Sequence, residues 1–220
     1  PSSLARPPPS TPASSTLPGD VRRVLGTKGN RSTNVHRLHY KVSAHKASSF
    51  ATLVDRGANG GIAGDDVRVI FKAEHPRRVD VSGIDNHQMT DLPIVTAGGV
   101  VQSQRGPVIA ILNQYAYTGH GKSIHSSAQL EWFCNVVDDR SMTVGGKQCI
   151  QTVDGYVHLL SFHMGLPYVK MRPYTDDEWD TLPHVVWTSD TDWDPSVLDP
   201  PGLDEDTWYD AVSDLPDGPL

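Results

Sequence analysis

The chain has 220 residues, of which 37% are hydrophobic, and its formal net charge is −7. This length and this apolar content predict one domain with appendages. The sequence has no run of about 18 apolar residues and no apolar core of a secretory signal near its start, so we expect an intracellular protein with no membrane partner.

Charge divides the chain into three parts. Residues 1–46 contain eight Lys and Arg residues against one acid, residues 47–175 contain eleven charges of each sign, and residues 176–220 contain fourteen acids with no Lys or Arg. Flanking segments of opposite charge around a neutral body are typical of solvated linkers, although such arms can also bind each other. We therefore expect a folded domain at 47–175 between two flanking segments.

The first segment, residues 1–46, is predicted to be a linker. Its first 19 residues are rich in Pro, Ser, Thr and Ala, a composition that buries too little surface to fold. The basic stretch that follows contains His36, His39 and His45, but no Cys or acid lies close enough to complete a metal site. It also lacks interleaved aromatic residues, so we expect neither a bound metal nor specific recognition of nucleic acid.

The body is predicted to be all-β. Short apolar runs alternate with Gly and Pro, among them FATLV, VRVIF, VDVSGI, LPIVTAGGVV, PVIAILNQYAY and YVHLLSF. A short helix is expected within residues 126–136 because apolar residues recur at helical spacing after a serine cap. A second helical turn is expected after Thr175, where the acids favour the N-terminal end of the helix dipole. The acidic, proline-broken tail, residues 176–220, is expected to be largely disordered despite Trp193, Trp208 and Tyr209.

The segment 53–64, LVDRGANGGIAG, is the strongest candidate for chemistry. Apolar residues predict a buried strand that delivers Asp55 into a turn, and the glycines allow that turn to be tight. Catalytic acids are often found where a strand ends in a turn, and Asp55 is predicted to lie at such a position. The common structural alternative is an aspartate that merely caps the turn.

Asp55, Gly57 and Ala58 resemble the Asp-Ser/Thr-Gly-Ala/Ser signature of retropepsin-like aspartic proteases, and residues 50–171 resemble the copia-type retrotransposon version in order. The resemblance implies a closed β barrel with one short helix and a flap hairpin. It also implies an active-site loop of Arg56, Gly57, Ala58 and Asn59. VDVSGIDNHQMTDLPIV resembles the flap hairpin, PVIAILNQYAY the later apolar strand, and SIHSSAQL the run before the helix, with Ser126, Gln129 and Leu130 at matching positions. The flap residues expected to contact substrate are Gly83, Ile84, Asp85, Asn86 and His87.

A single catalytic motif implies a dimeric active site. Proteases of this fold use two carboxylates that share one proton, because two like charges so close together cannot both ionise. Asp154-Gly155 lacks an apolar strand before it and is interpreted as a turn. A homodimer would instead bring Asp55 from each copy to the two-fold axis.

Arg56 departs from the family pattern, which has a Ser or Thr that braces the two active-site loops. A guanidinium cannot accept a hydrogen bond, and its charge would favour two ionised carboxylates if it lay beside them. Arg56 is compatible with activity if it points outward to the partner's backbone or to Asp65 or Asp66. Otherwise the fold has lost proteolysis, or the domain is an unrelated β protein.

Two functions follow from these observations. The first is an aspartic endopeptidase that processes a retrotransposon polyprotein, needs no cofactor, and works in the cytoplasm or within a retroelement particle. The second is a catalytically inactive binding or assembly module on the same fold. Hydrolysis of a polypeptide substrate that depends on Asp55 distinguishes them.

Overall fold

The structure is a computed structural model that describes residues 38–41, 51–83 and 88–199. Most of the described elements are strands, which confirms the all-β prediction at the level of fold class. No helix in these ranges has both the length and the apolar character needed to cross a bilayer. The strands are β1 (Leu38–Lys41), β2 (Thr52–Asp55), β3 (Ile62–Ala63), β4 (Arg68–Phe71), β5 (Arg78–Ser82), β6 (Gln88–Ser103), β7 (Gly106–Tyr117), β8 (Ile124–Ser126), β9 (Val136–Asp138), β10 (Cys149–Gln151), β11 (Val157–Leu159), β12 (Ser161–His163), β13 (Leu166–Val169), β14 (Met171–Arg172) and β15 (His184–Val186). The helices are α1 (Ser127–Trp132) and α2 (Asp176–Thr181), with 3-10 turns at Met142–Val144 and Pro195–Leu198.

The long hairpin of β6 and β7 forms the centre of the fold. Its antiparallel register runs from Ser103 opposite Gly106 to Ile94 opposite Ala116. Gly106 has a φ of +111°, which an L side chain rarely adopts, so glycine suits the hairpin turn. Five successive residues of β7, from Val108 to Leu112, are almost fully buried. A strand that is buried on both faces reads as a continuous apolar run, as this segment does.

The large sheet has twelve strands. Its main path is β1-β5-β6-β7-β3-β8-β2-β13-β12, with β4 and β14 also paired to β6 and β15 paired to β7. Strand β13 pairs with β2, and β14, which begins two residues later, pairs with β6. A smaller sheet of β9, β10 and β11 follows α1. Strand β2 therefore lies inside the large sheet, between β8 and β13.

Both predicted helices are present, and their caps are those expected. Helix α1 begins after Ser126, whose side chain accepts a hydrogen bond from the backbone N–H of Gln129. It ends sooner than the predicted limit of residue 136, because Cys134 takes a φ of +61° and β9 starts at Val136. Helix α2 has a capping box between Thr175 and Glu178, with three acids in its first turn.

The predicted boundary at residue 175 is wrong, because residues 176–199 belong to the folded body. Strand β15 pairs in parallel with β7, and Trp187 is completely buried. Trp193 is only 3% exposed. Acidic composition concealed these elements, whereas the aromatic residues were the signal for burial. The expectation of disorder for residues 200–220 lies outside the described residues.

The predicted linker 1–46 also contains an ordered element. Strand β1 pairs in parallel with β5, and Leu38 and Tyr40 point into the core. The alternation of an apolar, a polar and an aromatic residue over Leu38, His39 and Tyr40 is the period of a half-buried strand. The stretch is only four residues long, and the surrounding basic residues masked it.

Candidate active site

Asp55 is the last residue of β2, and all four residues of that strand are buried. Its carboxylate accepts a hydrogen bond of 2.8 Å from the backbone N–H of Gly57, two residues further along. This contact closes a tight turn and begins the Asp55 loop, defined as residues 55–64. The predicted placement of Asp55 at a junction of strand and turn is confirmed.

The Asp55 loop is tied to β8 and α1 on one side, its inner face. The hydroxyl of Ser126 donates to the backbone oxygen of Ala58 at 2.7 Å. The side-chain oxygen of Gln129 accepts a 2.9 Å hydrogen bond from the backbone N–H of Gly61. Gln129 also donates to the backbone oxygens of Asn113 and Gln114 on β7. Gln129 thus connects the loop, the helix and the central hairpin through buried hydrogen bonds.

A second buried network lies beneath the loop around Asp66, which is 1% exposed. Its carboxylate accepts hydrogen bonds from the hydroxyls of Thr52 and Ser123, both at 2.6 Å, and from the Ser123 backbone N–H. The Ser123 hydroxyl in turn accepts from the backbone N–H of Gly64. The sequence indicates Asp66 only as a partner of Arg56 and does not predict this role. The one available signal was the pair of acids, Asp65 and Asp66, directly after the glycine-rich turn.

Arg56 points away from Asp65 and Asp66, so that part of the prediction is wrong. Its guanidinium forms 3.2 Å ion pairs with Glu131 of α1 and with Asp139, just after β9. It also donates to the backbone oxygen of Val137 at 3.1 Å. Asp65 pairs with Lys122 instead, and Asp66 is enclosed in the network described above. Two carboxylates therefore balance the charge of Arg56, in an arrangement where its side chain stays 51% exposed.

Two aromatic residues from outside the predicted domain cover the loop on its outer face. A Cβ placed at Gly60 would lie 2.5 Å from the ring of Tyr40 in β1, so only glycine allows this approach. The indole N–H of Trp193 donates to the backbone oxygen of Asn59 at 2.8 Å. Both rings pack in one buried cluster with Ala58 and Ile62. Neither aromatic residue is among the site residues predicted from the sequence.

A buried aromatic and histidine cluster supports the loop from a third direction. The ring of Tyr115 lies against Gly61, and its hydroxyl is hydrogen-bonded to Nδ1 of His125 at 2.9 Å. Trp187 packs against the rings of both His125 and His158. Burial lowers the pKa of His125 to about 4, although the carboxylate of Asp66 acts in the opposite direction. His125 is therefore a neutral core histidine at physiological pH.

The segment predicted to form the flap contains two antiparallel strands, and residues 84–87 between them lie outside the described residues. Strands β5 and β6 pair with Ser82 opposite Gln88 and Val81 opposite Met89. Gly83 follows β5 directly and is half-buried. Ile84, Asp85, Asn86 and His87 lie outside the described residues, so their expected contacts with substrate stay predictions.

Asp154-Gly155, the other Asp-Gly pair considered, forms a turn between β10 and β11. Gly155 takes a φ of +81°, and the Thr152 side chain is hydrogen-bonded to Asp154.

Within the described part of the chain, no three His, Cys, Asp or Glu residues are grouped so that they could hold a metal ion.

Comparisons of the chain with protein-family models, with curated proteins and with solved structures find no match. The motif around Asp55 and the geometry of its loop are therefore the basis for inferring function.

Proposed function

We propose that the protein is an aspartic endopeptidase of retropepsin type that acts as a homodimer on a retrotransposon polyprotein, in the cytoplasm or within a retroelement particle. The observation that carries this proposal is the setting of Asp55. It ends a buried strand, its carboxylate is fixed by the Gly57 N–H, and its loop is bonded to the cap and first turn of a helix. A catalytic carboxylate requires this kind of fixed loop, because its orientation must be set before substrate binds.

The order of elements around Asp55 supports the same proposal. The catalytic strand, the flap hairpin, the long apolar strand and the short helix follow one another in the order that the resemblance implies. The loop residues Ile62 and Ala63 form β3, which pairs with the apolar strand β7 on one side and with β8 on the other. The pairings of β13 with β2 and of β14 with β6 are compatible with the proposed closed barrel.

In the proposed mechanism, Asp55 from each of two copies meets at a two-fold axis. One carboxylate is ionised and accepts a proton from the attacking water, and the other is protonated and donates a hydrogen bond to the scissile carbonyl. Water adds to that carbonyl carbon, the C–N bond of the resulting tetrahedral intermediate breaks, and the leaving amine takes up a proton. No cofactor takes part in these steps.

The contacts of Arg56 favour an active enzyme over an inactive module. A lone guanidinium beside the two carboxylates would stabilise the doubly ionised state, in which neither can donate to the substrate. Here Glu131 and Asp139 bind Arg56 and offset its charge. Ser126 and Gln129 fix the loop within each copy, in place of the hydroxyl brace that the family motif supplies.

The test is hydrolysis of peptides that span the junctions of the polyprotein. We expect wild type to cleave them, a statine-type inhibitor to block cleavage, and Asp55→Asn to abolish it. The matched control is Asp154→Asn, which changes the other Asp-Gly pair at a turn between β10 and β11 and should leave the rate unchanged. Sedimentation of wild type should show a dimer.

Two results would overturn the proposal. If the wild-type protein sediments only as a monomer at high concentration, the second Asp55 carboxylate that the mechanism requires is absent. A dimer that shows no cleavage dependent on Asp55 is the inactive assembly module instead.

A further inference from the structure

Residues 189–198, called the C-terminal strap below, extend beyond the last strand of the sheet and reach back to the Asp55 loop. The strap begins just after β15 and Trp187, and it ends in the 3-10 turn at Pro195–Leu198. Its one deeply buried apolar side chain is Trp193, which packs with Tyr40, Ala58 and Ile62. The strap thus places the buried side chain of Trp193 against the Asp55 loop.

Trp193 holds the loop at a point between its two inner attachments. Ser126 binds the backbone oxygen of Ala58, Gln129 binds the N–H of Gly61, and Trp193 binds the backbone oxygen of Asn59 from the outer face. Three hydrogen bonds therefore fix three positions within four consecutive residues of the loop. A segment fixed at three positions has less freedom to move the turn that orients Asp55.

The rest of the strap is held by a small set of polar contacts. Gln114 donates to the backbone oxygen of Asp190 at 3.1 Å. Arg77 forms a 3.5 Å ion pair with Asp192 and donates weakly to the backbone oxygen of Trp193 at 3.4 Å. The Asp192 side chain is 57% exposed, so this ion pair contributes little. Trp193 is therefore the principal anchor of the strap.

A surface groove of about 500 Å³ separates the 3-10 turn of the strap from β1 beside Asn59. Its lining includes Leu38 and His39 of β1 and Asp194, Ser196 and Leu198 of the strap. The end of the strap is consequently open to solvent along the groove. Separation of the strap from the loop requires loss of the Trp193 contacts, which are the Asn59 hydrogen bond, the buried cluster and the ring of Trp132.

We propose that the C-terminal strap regulates the Asp55 site, with Trp193 as a positioning residue that clamps the loop through Asn59. With the strap docked, the loop is held in one conformation; with the strap released, the loop moves and turnover falls. This inference rests on the proposed function for its effect on catalysis. The clamp itself is a property of the loop that can be measured without turnover.

The experiment compares Trp193→Phe with wild type in the full chain. Phe retains an aromatic ring in the buried cluster but cannot donate to the Asn59 oxygen. We expect amide hydrogen exchange at residues 57–61 to accelerate at least about 5-fold and kcat to fall about 5- to 10-fold with a smaller change in KM, as loss of one hydrogen bond predicts. The control is Val197→Ser in the same strap, where the side chain is 49% exposed and both measurements should stay at wild-type values.

The two readouts separate failure of this inference from failure of the proposed function. Unchanged exchange at residues 57–61 in Trp193→Phe overturns the clamp. Faster exchange with unchanged kcat overturns its regulatory role. If wild type shows no turnover, the proposed function is wrong, and so is the regulation of turnover. Amide hydrogen exchange at residues 57–61 then still tests whether Trp193 clamps the loop. Trp193→Phe is preferred to Trp193→Ala because it preserves most of the packing and allows the variant to fold.

Discussion

Two groups of carboxylate contacts lie near the Asp55 loop: an inner cluster around Asp66 and an outer cluster around Arg56. They differ mainly in their exposure to water. Asp66 is buried beneath the loop and accepts three hydrogen bonds from Thr52 and Ser123. Glu131 and Asp139 lie at the surface, where they bind Arg56 at similar distances. The two clusters make similar numbers of hydrogen bonds and ion pairs, but only the cluster around Asp66 is buried.

Burial determines how much each cluster stabilises the fold. A buried donor that loses its acceptor cannot form a hydrogen bond to water instead. Each such donor lowers the free energy of unfolding by about 1–3 kcal/mol. An exposed ion pair exchanges its partner for water and typically contributes about 0–1 kcal/mol. The inner cluster should therefore hold the fold together, and the outer one should act chiefly on local charge.

The largest effect is expected for Asp66→Ala. It leaves the hydroxyls of Thr52 and Ser123 and the Ser123 N–H without their acceptor, so the free energy of unfolding should fall by roughly 3–5 kcal/mol. Urea unfolding followed by circular dichroism measures this change. The matched control is Asp65→Ala, which removes only an exposed ion pair with Lys122 and should change stability by about 0.5 kcal/mol or less. Equal losses for the two neighbours would contradict the comparison.

Acid should also weaken the inner region first. His125 is neutral in the fold with a pKa near 4, whereas an unfolded histidine titrates near 6.5. The unfolded chain therefore binds more protons between these values, and stability that is fully present above about pH 6.5 falls as the pH drops toward 4. A tenfold change in proton affinity is worth about 1.4 kcal/mol, so His125 should contribute a loss of roughly 3 kcal/mol.

Urea unfolding at intervals from pH 7.5 to pH 4.5 measures this slope, and His125→Gln should reduce it. Part of the slope should remain, because burial also lowers the pKa values of His158 and His184. The exposed His75 serves as the control, because His75→Gln should leave the slope unchanged. The carboxylates of Asp138 and Glu178, whose pKa values are lowered to about 2 by hydrogen bonds to arginine side chains and backbone N–H groups, lose their contribution mainly below pH 4. A slope that does not depend on His125 would show that this histidine is not a neutral buried group.

A smaller loss is expected when Gln129 is changed to Leu. The Gly61 N–H loses its acceptor and two backbone oxygens of β7 lose a donor, but the apolar side chain fills the space, so roughly 2 kcal/mol should be lost. Gln151→Leu on the exposed face of β10 is the control and should change little. Thermal unfolding of both variants gives the comparison. If they melt together, the loop does not depend on its attachment to α1.

Local signals in the sequence predicted the strand and the helix caps correctly, whereas contacts between distant residues were not predicted. The strand before Asp55 and the caps at Ser126 and Thr175 depend on neighbouring residues, and all three are confirmed. The burial of Asp66 depends on Ser123, 57 positions away, and the Asn59 contact with Trp193 spans 134 positions. No periodicity or spacing within one segment encodes such pairs.

Composition misled most at the two flanks, and for a physical reason. Net charge reflects the average polarity of a segment, but a strand can be buried through only a few inward-facing apolar side chains. Leu38 and Tyr40 suffice in the basic flank, and Trp187 and Trp193 suffice in the acidic one. The described parts of the flanks therefore add strands and anchors to the domain.

The smallest effect on stability is expected at Arg56. Arg56→Ala breaks the pairs with Glu131 and Asp139, yet the free energy of unfolding should change by only about 0.5–1 kcal/mol, because the guanidinium is half exposed. A double-mutant cycle with Asp139→Ala at low salt and at about 0.5 M NaCl measures the coupling, which should shrink as salt screens it. A coupling above about 2 kcal/mol that resists salt would show that the outer cluster behaves as a buried network. The difference between the two clusters would then lie in their chemistry and not in their exposure.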